Sequence, residues 1–171
     1  PRAFRYICVK SEGAEPTNLI ADYEYLPLED RASFSCNRRD VKKIWDICAY
    51  TLHLNSREFF LDGIKRDRLV WIGDMHPEVS TLRMVFGQDG AVPASLDFVK
   101  DETPGDQWMN TIASYSLWWI MIHHDWYMHW GDLAYLQEQR DYMKQVVETA
   151  KEQGYVTTLM GRRRYLPELK A

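Results

Sequence analysis

The segment Asp62–Asp74 concentrates side chains that can move protons or hold polar ligands. It carries three carboxylates, Asp62, Asp67 and Asp74, at spacings of five and seven residues. Between them stand three cations and one tryptophan: Lys65, Arg66, Arg68 and Trp71. Hydrolysis of a glycosidic bond needs a carboxylic acid that protonates the leaving oxygen, further carboxylates that hold hydroxyls, and an aromatic or apolar wall. The same residues also suit a solvated loop with weak ion pairs, so the spacing alone leaves both interpretations open.

Helices are predicted on both sides of this segment. Upstream, apolar residues at spacings of three and four form one helical stripe that follows Asn37, an N-cap residue type. The stripe consists of Val41, Ile44, Trp45, Cys48 and Leu52. Downstream, a helix is predicted near His76–Phe86. Gly63 and Gly73 are expected to bend the chain so that the carboxylates converge on one pocket.

Two further helices are predicted in the second half of the chain. Asn110–Trp130 is rich in aromatic residues and apolar on nearly every side, as expected of a helix packed between others, and Gly131 ends it. Asp132 then caps an amphipathic helix that ends before Gly154. Its inward face is expected to consist of Leu133, Leu136, Met143, Val146, Val147 and Ala150.

The N-terminal part of the chain has β character. Phe4–Val9 alternates in side-chain type, and the β-rich run Ile20–Leu26 follows a turn region, so both are predicted to be strands at the edge of a β-domain. Together with the helices, this pattern predicts a mainly α fold. We expect part of a helical toroid or bundle, preceded by a short β-sandwich remnant, rather than a βαβ arrangement.

The composition is that of an ordinary globular chain, either one domain or a piece of a larger one. The 171 residues are 46% hydrophobic and 27% charged, which supports a real core. A net charge of -4 creates no overall basic field that would attract nucleic acid or anionic lipid. The apolar run Leu117–Ile122 is far shorter than the roughly 20 residues of a membrane span. Since the chain starts at Pro1, we interpret its beginning as a cut inside a longer protein.

Other residues that invite a functional interpretation fit a structural one better. His123, His124 and His129 lack the i, i+4 spacing that would let two of them share a metal ion, so we predict no metal and no cofactor. Four tryptophans of the same segment are expected mainly in the core, with at most one at a pocket mouth. They are Trp118, Trp119, Trp126 and Trp130. The three cysteines form no CxxC pair and are expected to be buried: Cys8, Cys36 and Cys48.

Residues from about Tyr6 to Val146 resemble the inverting α-L-rhamnosidases of glycoside hydrolase family 78. The long and specific part of the resemblance is the run Asp62-Gly63-Ile64-Lys65-Arg66-Asp67-Arg68, followed by Trp71-Ile72-Gly73-Asp74. Further similar stretches are Ser33–Cys36, Ile44–Asp46, Tyr50–Leu52, Arg57–Phe60, Asn110–Ile112 and Trp130–Asp132. The resemblance implies the end of a β-sandwich and the first part of an (α/α)6 catalytic barrel. It also implies inverting hydrolysis of terminal α-L-rhamnosides, with a rhamnose-containing glycoside or polysaccharide as partner.

The resemblance also implies a role for each matching residue. Asp67 stands where the family places its general acid. Asp62 and Asp74 stand where carboxylates bind rhamnose hydroxyls, and Arg66 and Trp71 would line the same pocket.

Two features of this sequence depart from the family's pattern. Many members carry Glu where Asp67 stands, and Trp108 occupies a position where His is expected. An inverting mechanism also needs a general base on the opposite face, with the two carboxyl groups roughly 6.5–9.5 Å apart. In the family that base is a Glu of a much later barrel helix, which we expect beyond Ala171.

The last part of the chain resembles a different family. From about residue 142 onward, and most clearly in Gly154–Thr158 and Gly161–Pro167, it is similar to family A DNA polymerases, in which this segment would be a strand and a basic turn. We therefore interpret the chain as a chimeric or recombined sequence, with the alternative that one family extends throughout and the local similarity arose by chance. The predicted units are 1–32, the end of a β-sandwich; 33–146, the N-terminal part of the toroid; and 147–171, a polymerase-like helix end, strand and basic turn.

Two other classes of function remain as alternatives. A carbohydrate-binding or interaction module without catalysis would use the same tryptophans and carboxylates. Nucleic-acid binding through Arg162–Arg164 is the remote alternative, because the net charge of -4 and the lack of polymerase aspartates disfavour it. Self-association is expected if a partial toroid leaves apolar helix faces uncovered.

Overall fold

The computed structural model describes residues 3–87 and 90–155. Within these ranges it contains five α-helices and a short 3₁₀ helix. They are α1 (Arg39–Asn55), α2 (Ile72–Val85), α3 (Ala91–Glu102), the 3₁₀ helix (Met109–Thr111), α4 (Ala113–Trp130) and α5 (Leu133–Glu152). The prediction of a mainly helical protein is confirmed. None of the helices in the described ranges combines the length and the hydropathy of a membrane span.

The core forms where α4 packs between α2 and α5. Trp119 and Trp126 of α4 are completely buried there, together with Ile122. From α2, the buried side chains include Val79 and Leu82. Because α4 has helical neighbours on two sides, its sequence is apolar around most of its circumference, and this explains why it shows no clean amphipathic stripe.

The ends of α4 and α5 lie where the sequence predicts them. Gly131 adopts a left-handed conformation with φ of 71°, and its backbone N–H donates to the carbonyl of Tyr127 at 2.8 Å. Asp132 then caps α5, since its side chain accepts a hydrogen bond from the N–H of Tyr135 at 3.1 Å. The resulting tight αα-hairpin needs the conformational freedom of glycine and the acceptor of aspartate at adjacent positions.

The helix α3 has no counterpart among the sequence-based predictions. The loop residues on either side of it and the proline Pro93 hide its pattern. A proline is tolerated within the first turn of a helix because the N–H that it lacks has no helical acceptor there. The buried side chains of α3 nevertheless follow helical spacing, at Val92, Ser95, Leu96 and Val99.

The prediction of a β-sandwich remnant in residues 1–32 is wrong for the part that the structure describes. Residues 3–29 contain no strand, and side chains of the expected strands, such as Tyr6 and Ile20, are 85% and 74% exposed. An alternating segment becomes a strand only when a neighbouring strand pairs with its backbone groups. Here Asp30 forms an isolated bridge to Phe86, and Arg31 donates its N–H to the carbonyl of Val85 at 2.9 Å.

The first helix is less buried than its apolar stripe predicts. In α1, which starts at Arg39 rather than directly after Asn37, Leu52 is buried but Ile44 is 60% exposed. The three cysteines were expected inside and are all exposed. The predicted inward position of Leu133 on α5 is wrong as well, since this side chain is 49% exposed. An apolar stripe is buried only where another element covers it, and periodicity cannot supply that element.

Candidate active site

Asp62 closes a loop that carries the charged segment. Its backbone N–H donates to the carbonyl of Leu69 at 3.0 Å, and its Oδ1 accepts from the N–H of Leu69 at 3.0 Å. These two hydrogen bonds hold residues 62 and 69 together and leave the residues between them at the tip of the loop. A side chain that accepts from a nearby backbone N–H is a common way to fix a turn. The Oδ1 atom of Asp62 therefore helps to hold the loop closed.

Asp67 and Arg66 lie at the tip of this loop and pair with each other. Nη2 of Arg66 is 3.3 Å from Oδ2 of Asp67, and the side chain of Arg66 is 84% exposed while that of Asp67 is 31% exposed. An exposed ion pair of this kind contributes at most about 1 kcal/mol to stability. Asp67, predicted as the general acid, and Arg66, predicted to line the pocket, thus lie on the solvent side of the segment.

Trp71 stands at the start of α2, where a distant asparagine fixes the backbone. Asn110 accepts a hydrogen bond from the N–H of Ile72 at 3.1 Å and donates one to the carbonyl of Val70 at 3.1 Å. Asn110 itself has a φ of 50°, a conformation that asparagine tolerates better than most residues. Trp71 provides no side-chain cap for α2, so Asn110 supplies the missing acceptor for the first N–H of the helix.

Gly73 does not bend the chain, contrary to the prediction. It lies inside α2, and a Cβ atom at this position would be 2.2 Å from Cζ of Tyr115. The absence of a side chain lets the Tyr115 ring of α4 approach the helix backbone closely. The same ring contacts Trp71 edge-on, with 6.3 Å between ring centroids, so Gly73 allows these two aromatic rings to meet.

Asp74 and Glu78 lie on the same side of α2, one turn apart. Asp74 is exposed, whereas Glu78 is partly buried. Burial, followed by the charges of Asp74 and Asp62, raises the pKa of Glu78 to about 8, against a hydrogen bond from the side chain of Asn55. Asp62, Asp74 and Glu78 thus form one electrostatically coupled group at the start of α2, which we call the acidic group.

Glu78 is the residue that sequence reasoning missed. Its position four residues after Asp74 was visible as helical spacing, since residues at i and i+4 lie on the same side of a helix. What the sequence did not reveal is that Oε2 of Glu78 is buried without a hydrogen-bond partner among the described residues. The Nε1 atom of Trp71 is in the same situation. Unsatisfied buried polar atoms are rare in proteins and often mark functional sites.

The histidines of α4 have structural surroundings. His123 is buried, its Nδ1 lies 2.9 Å from the carbonyl of Trp119, and burial lowers its pKa to about 4. His124 is exposed beside Asp125, 3.1 Å away. Within residues 3–87 and 90–155, no group of three or more His, Cys, Asp or Glu side chains is arranged to hold a metal ion.

The tryptophans of α4 follow the prediction that most of them belong to the core. Trp119 and Trp126 are buried, and Trp118 is 36% exposed. The ring of Trp118 stacks on Tyr115 with 6.0 Å between centroids and lies 5.7 Å from the ring of His76. Because Tyr115 also touches Trp71, the rings of Trp71, Tyr115 and Trp118 form one continuous aromatic wall.

Comparison with protein-family models places the chain among the six-hairpin glycosidase domains. The matching model describes the bacterial alpha-L-rhamnosidase six-hairpin glycosidase domain, and it covers residues 29–164. The chain therefore belongs to this family, and the resemblance stated from the sequence is confirmed.

Short matches to DNA polymerase I are also confirmed. The polymerases of Mycobacterium tuberculosis (strain ATCC 25618 / H37Rv) and Mycobacterium leprae (strain TN) are each 63% identical over 30 residues, which is 18% of this chain and 3% of the polymerase. The Bacillus subtilis (strain 168) polymerase is 57% identical over 37 residues, which is 22% of this chain and 4% of the polymerase. The chain thus spans about 3–4% of the length of these curated relatives. The predicted strand Tyr155–Leu159 falls almost entirely, and the basic turn Gly161–Arg164 entirely, outside the described residues.

Proposed function

We propose that this chain provides the acid side of an inverting glycoside hydrolase that acts on terminal α-L-rhamnosides. Membership of the rhamnosidase six-hairpin family supports this class of reaction. The observation that carries the proposal is the acidic group at the start of α2, where Asp62 and Asp74 both act on the partly buried Glu78. Several carboxyl groups beside an aromatic wall are what recognition of a sugar ring requires.

In this proposal the residues divide the work according to their positions. Asp67 is the general acid that protonates the leaving oxygen, and its pair with Arg66 must open when the glycoside binds. Asp62 and Asp74 accept hydrogen bonds from rhamnose hydroxyls. Since Oδ1 of Asp62 is occupied by Leu69, the sugar hydroxyl would meet Oδ2.

The aromatic residues bind the apolar face of the sugar. Trp71 is fixed by the hydrogen bonds of Asn110 on both sides of it, and its ring meets Tyr115 edge-on. A ring whose backbone is held from two sides loses little entropy when it stacks on a ligand. Asn110 therefore supports the pocket without touching the sugar.

Release of nitrophenol from an aryl α-L-rhamnoside tests the catalytic role. Since the general base is expected outside this chain, we expect slow residual turnover that Asp67→Asn abolishes, while Glu148→Gln, an exposed change on α5, leaves it intact. ¹H NMR should detect the inverted anomer of rhamnose as the first product. Binding of methyl α-L-rhamnoside without turnover would instead favour a carbohydrate-binding module, and neither binding nor turnover by the folded chain would reject the proposal.

The relative effect of three substitutions on binding tests the assignment of roles. Asp62→Asn and Asp74→Asn remove hydroxyl acceptors, so each should weaken methyl α-L-rhamnoside binding more than Asp67→Asn does. Isothermal titration calorimetry gives the three affinities. If Asp67→Asn were the most damaging of the three for binding, the roles of Asp67 and the other two carboxylates would be reversed.

The organisation of the chain is also part of the proposal. Residues 33–146 form the N-terminal part of the (α/α)6 catalytic toroid, and 147–171 form a polymerase-like unit. The helix α5 runs unbroken across the boundary between them, with Val146 and Ala150 buried on either side. A chain that ends after Gln153 should therefore keep the melting temperature of the toroid part, whereas one that ends after Val146 should lose several degrees.

We also propose that a second copy of the chain binds the exposed side of α1. Ile44, Ile47 and Tyr50 are 60%, 54% and 56% exposed there, and adjacent exposed apolar side chains favour association. Sedimentation velocity should show a concentration-dependent dimer that Ile44→Glu with Ile47→Glu abolishes. A monomer at all concentrations would contradict this partner.

A further inference from the structure

We propose that Glu78 is a positioning residue of the candidate active site, which holds Asp62 and Asp74 in the orientation that a sugar ring requires. The inference rests on the proposed function, because it gives Glu78 a task in the binding of the glycoside.

Glu78 lies on the same side of α2 as Asp74. It follows Asp74 by four residues, so the two side chains project from the same side of the helix, one turn apart. Met75 and Val79, which flank this side, are each 1% exposed. Glu78 therefore lies on the inner side of the acidic group, and Asp74 lies on the solvent side.

Asn55 ends α1 and is 5% exposed, and its side chain lowers the pKa of the Glu78 carboxyl, so the two groups lie close to each other. The backbone carbonyl of Asn55 accepts a hydrogen bond from the N–H of Leu61 at 3.0 Å, directly before Asp62. One buried residue thus connects Glu78 to the segment that carries the second member of the acidic group.

The Glu78 carboxyl is protonated near neutral pH. Its Oε2 atom is buried without a partner among the described residues, and an unpaired buried charge is far more costly than a neutral carboxylic acid. Burial, and then Asp74 and Asp62, raise the pKa of Glu78 to about 8. At pH 7 Glu78 is therefore mostly neutral and carries a proton.

Among the described residues, the groups that shift the pKa of Glu78 include no cation. The facing group of α1 is the uncharged Asn55, and the facing group of the loop is the carboxylate of Asp62. On α4, which packs against α2, Asp125 pairs with Arg83 at 3.8 Å. Arg83 lies five residues beyond Glu78, in the last turn of α2, and is not among the groups that shift the pKa of Glu78.

A neutral Glu78 limits the acidic group to two charges. Asp62 and Asp74 then remain ionised and accept hydrogen bonds from the sugar hydroxyls, while Glu78 keeps its proton. Once Glu78 ionises, three carboxylates repel one another in a partly buried site, and the two binding carboxylates move apart. Sugar binding should therefore weaken as the pH rises through about 8.

The experiment measures binding of methyl α-L-rhamnoside by the full chain between pH 6 and pH 9. For the unchanged protein we expect the affinity to fall about tenfold from pH 7 to pH 9. Binding requires the proton on Glu78, and at pH 9, one unit above its pKa, only about a tenth of the protein still carries that proton. Glu78→Gln mimics the neutral form, so it should rescue binding and show no decrease. Glu78→Leu has a similar size but no polar atoms, and it should weaken binding at every pH. Glu148→Gln should behave as the unchanged protein does.

A second measurement separates this inference from the proposed function. In the ¹³C NMR spectrum of the free protein, the carboxyl signals of Asp62 and Asp74 should shift near pH 8 in the unchanged protein but not in Glu78→Gln. If neither protein binds the rhamnoside, the proposed function fails, and these shifts alone decide whether Glu78 acts on the two carboxylates. If the sugar binds but the shifts near pH 8 are missing, or if Glu78→Gln keeps the tenfold decrease, the role of Glu78 is overturned.

Discussion

Two carboxylate clusters in this protein differ in how their oxygen atoms are satisfied. Between α3 and α5, Oδ1 of Asp97 accepts hydrogen bonds from Gln139 at 2.9 Å and from Tyr135 at 3.3 Å, and it pairs with Lys100 at 3.2 Å. We call these four residues the Asp97 network. In the acidic group, by contrast, Oε2 of Glu78 is buried without a partner among the described residues, and the two neighbouring carboxylates repel it.

The difference distinguishes a structural cluster from the one that we propose to bind the sugar. A carboxylate surrounded by donors, such as Asp97, fixes the two helices α3 and α5 to each other and has little capacity left for a ligand. A buried carboxyl group whose pKa is raised by neighbouring carboxylates costs stability, and proteins often keep such an arrangement where it binds or reacts. Substitutions in and around the two clusters should therefore affect stability and sugar binding differently.

The largest effect on stability should come from replacing Trp119, a core side chain next to the Asp97 network. Trp119 is completely buried, and its Nε1–H donates to the carbonyl of Leu96 at 3.0 Å. Trp119→Ala should lower the free energy of unfolding by about 3–5 kcal/mol, because it removes buried contacts and leaves a cavity. Trp118→Ala, one position earlier and 36% exposed, is the control and should cost about 1 kcal/mol. Equal losses in urea denaturation would contradict the assignment of the core.

Breaking the Asp97 network should lower the free energy of unfolding less than removing Trp119 does, but more than replacing Glu78 of the acidic group. Gln139 is 1% exposed, and Gln139→Leu would leave Asp97 and Lys100 each without one partner. We expect a loss of about 2 kcal/mol. At the same pH 7, Glu78→Gln should cause no loss. A larger loss from Glu78→Gln than from Gln139→Leu would mean that the acidic group is the structural cluster of the two.

The stability of the protein should depend on pH through Glu78. Since the pKa of Glu78 is raised from 4.5 to about 8 in the folded protein, the folded state retains a proton that the unfolded state has lost. The free energy of unfolding should therefore fall as the pH rises from about 4.5 to 8 and should then level off. Linkage makes this contribution several kcal/mol at most, and solvent screening of the partly buried carboxyl should reduce it. Urea denaturation of Glu78→Gln over the same range should lack this contribution, and an identical slope would refute it.

Two glycines beside the acidic group provide a smaller contrast. Gly73→Ala places a Cβ atom against the Tyr115 ring, whose far end can shift, so we expect a loss of about 1 kcal/mol. It should also weaken rhamnoside binding, because the displaced ring borders Trp71. Gly63→Ala meets no atom within 4 Å and should leave the melting temperature unchanged. Weakening of binding by Gly63→Ala alone would place the aromatic wall elsewhere.

The smallest effect on stability should come from the loop tip. Arg66 is 84% exposed and pairs with Asp67 at 3.3 Å, so Arg66→Ala should change the free energy of unfolding by less than about 0.5 kcal/mol. Its effect on rhamnoside turnover should be much larger if Arg66 lines the pocket. Thermal denaturation and the aryl rhamnoside assay on the same sample separate the two. Loss of stability without loss of turnover would make the pair with Asp67 structural.

Local sequence signals determined the hairpin of α4 and α5. The glycine Gly131 and the capping residue Asp132 act within one turn of their own position, and the structure places the end of α4 and the start of α5 there. The family could likewise be predicted from the run Asp62–Asp74, since residue types at fixed spacing need no knowledge of packing. In the N-terminal part the same kind of signal failed, because a strand requires a partner strand from elsewhere in the chain.

Only the tertiary structure decided which residues form the site. The sequence by itself placed Asp62, Asp67 and Asp74 in one segment, but the fold sends Asp67 to the loop tip and brings Glu78 to the other two carboxylates. It also recruits Asn110 to the start of α2, across 38 positions of the chain. The physical reason is that spacing along a chain fixes only neighbours within a few residues. The pKa of a carboxyl group and the satisfaction of a buried oxygen atom depend instead on every element that packs against it.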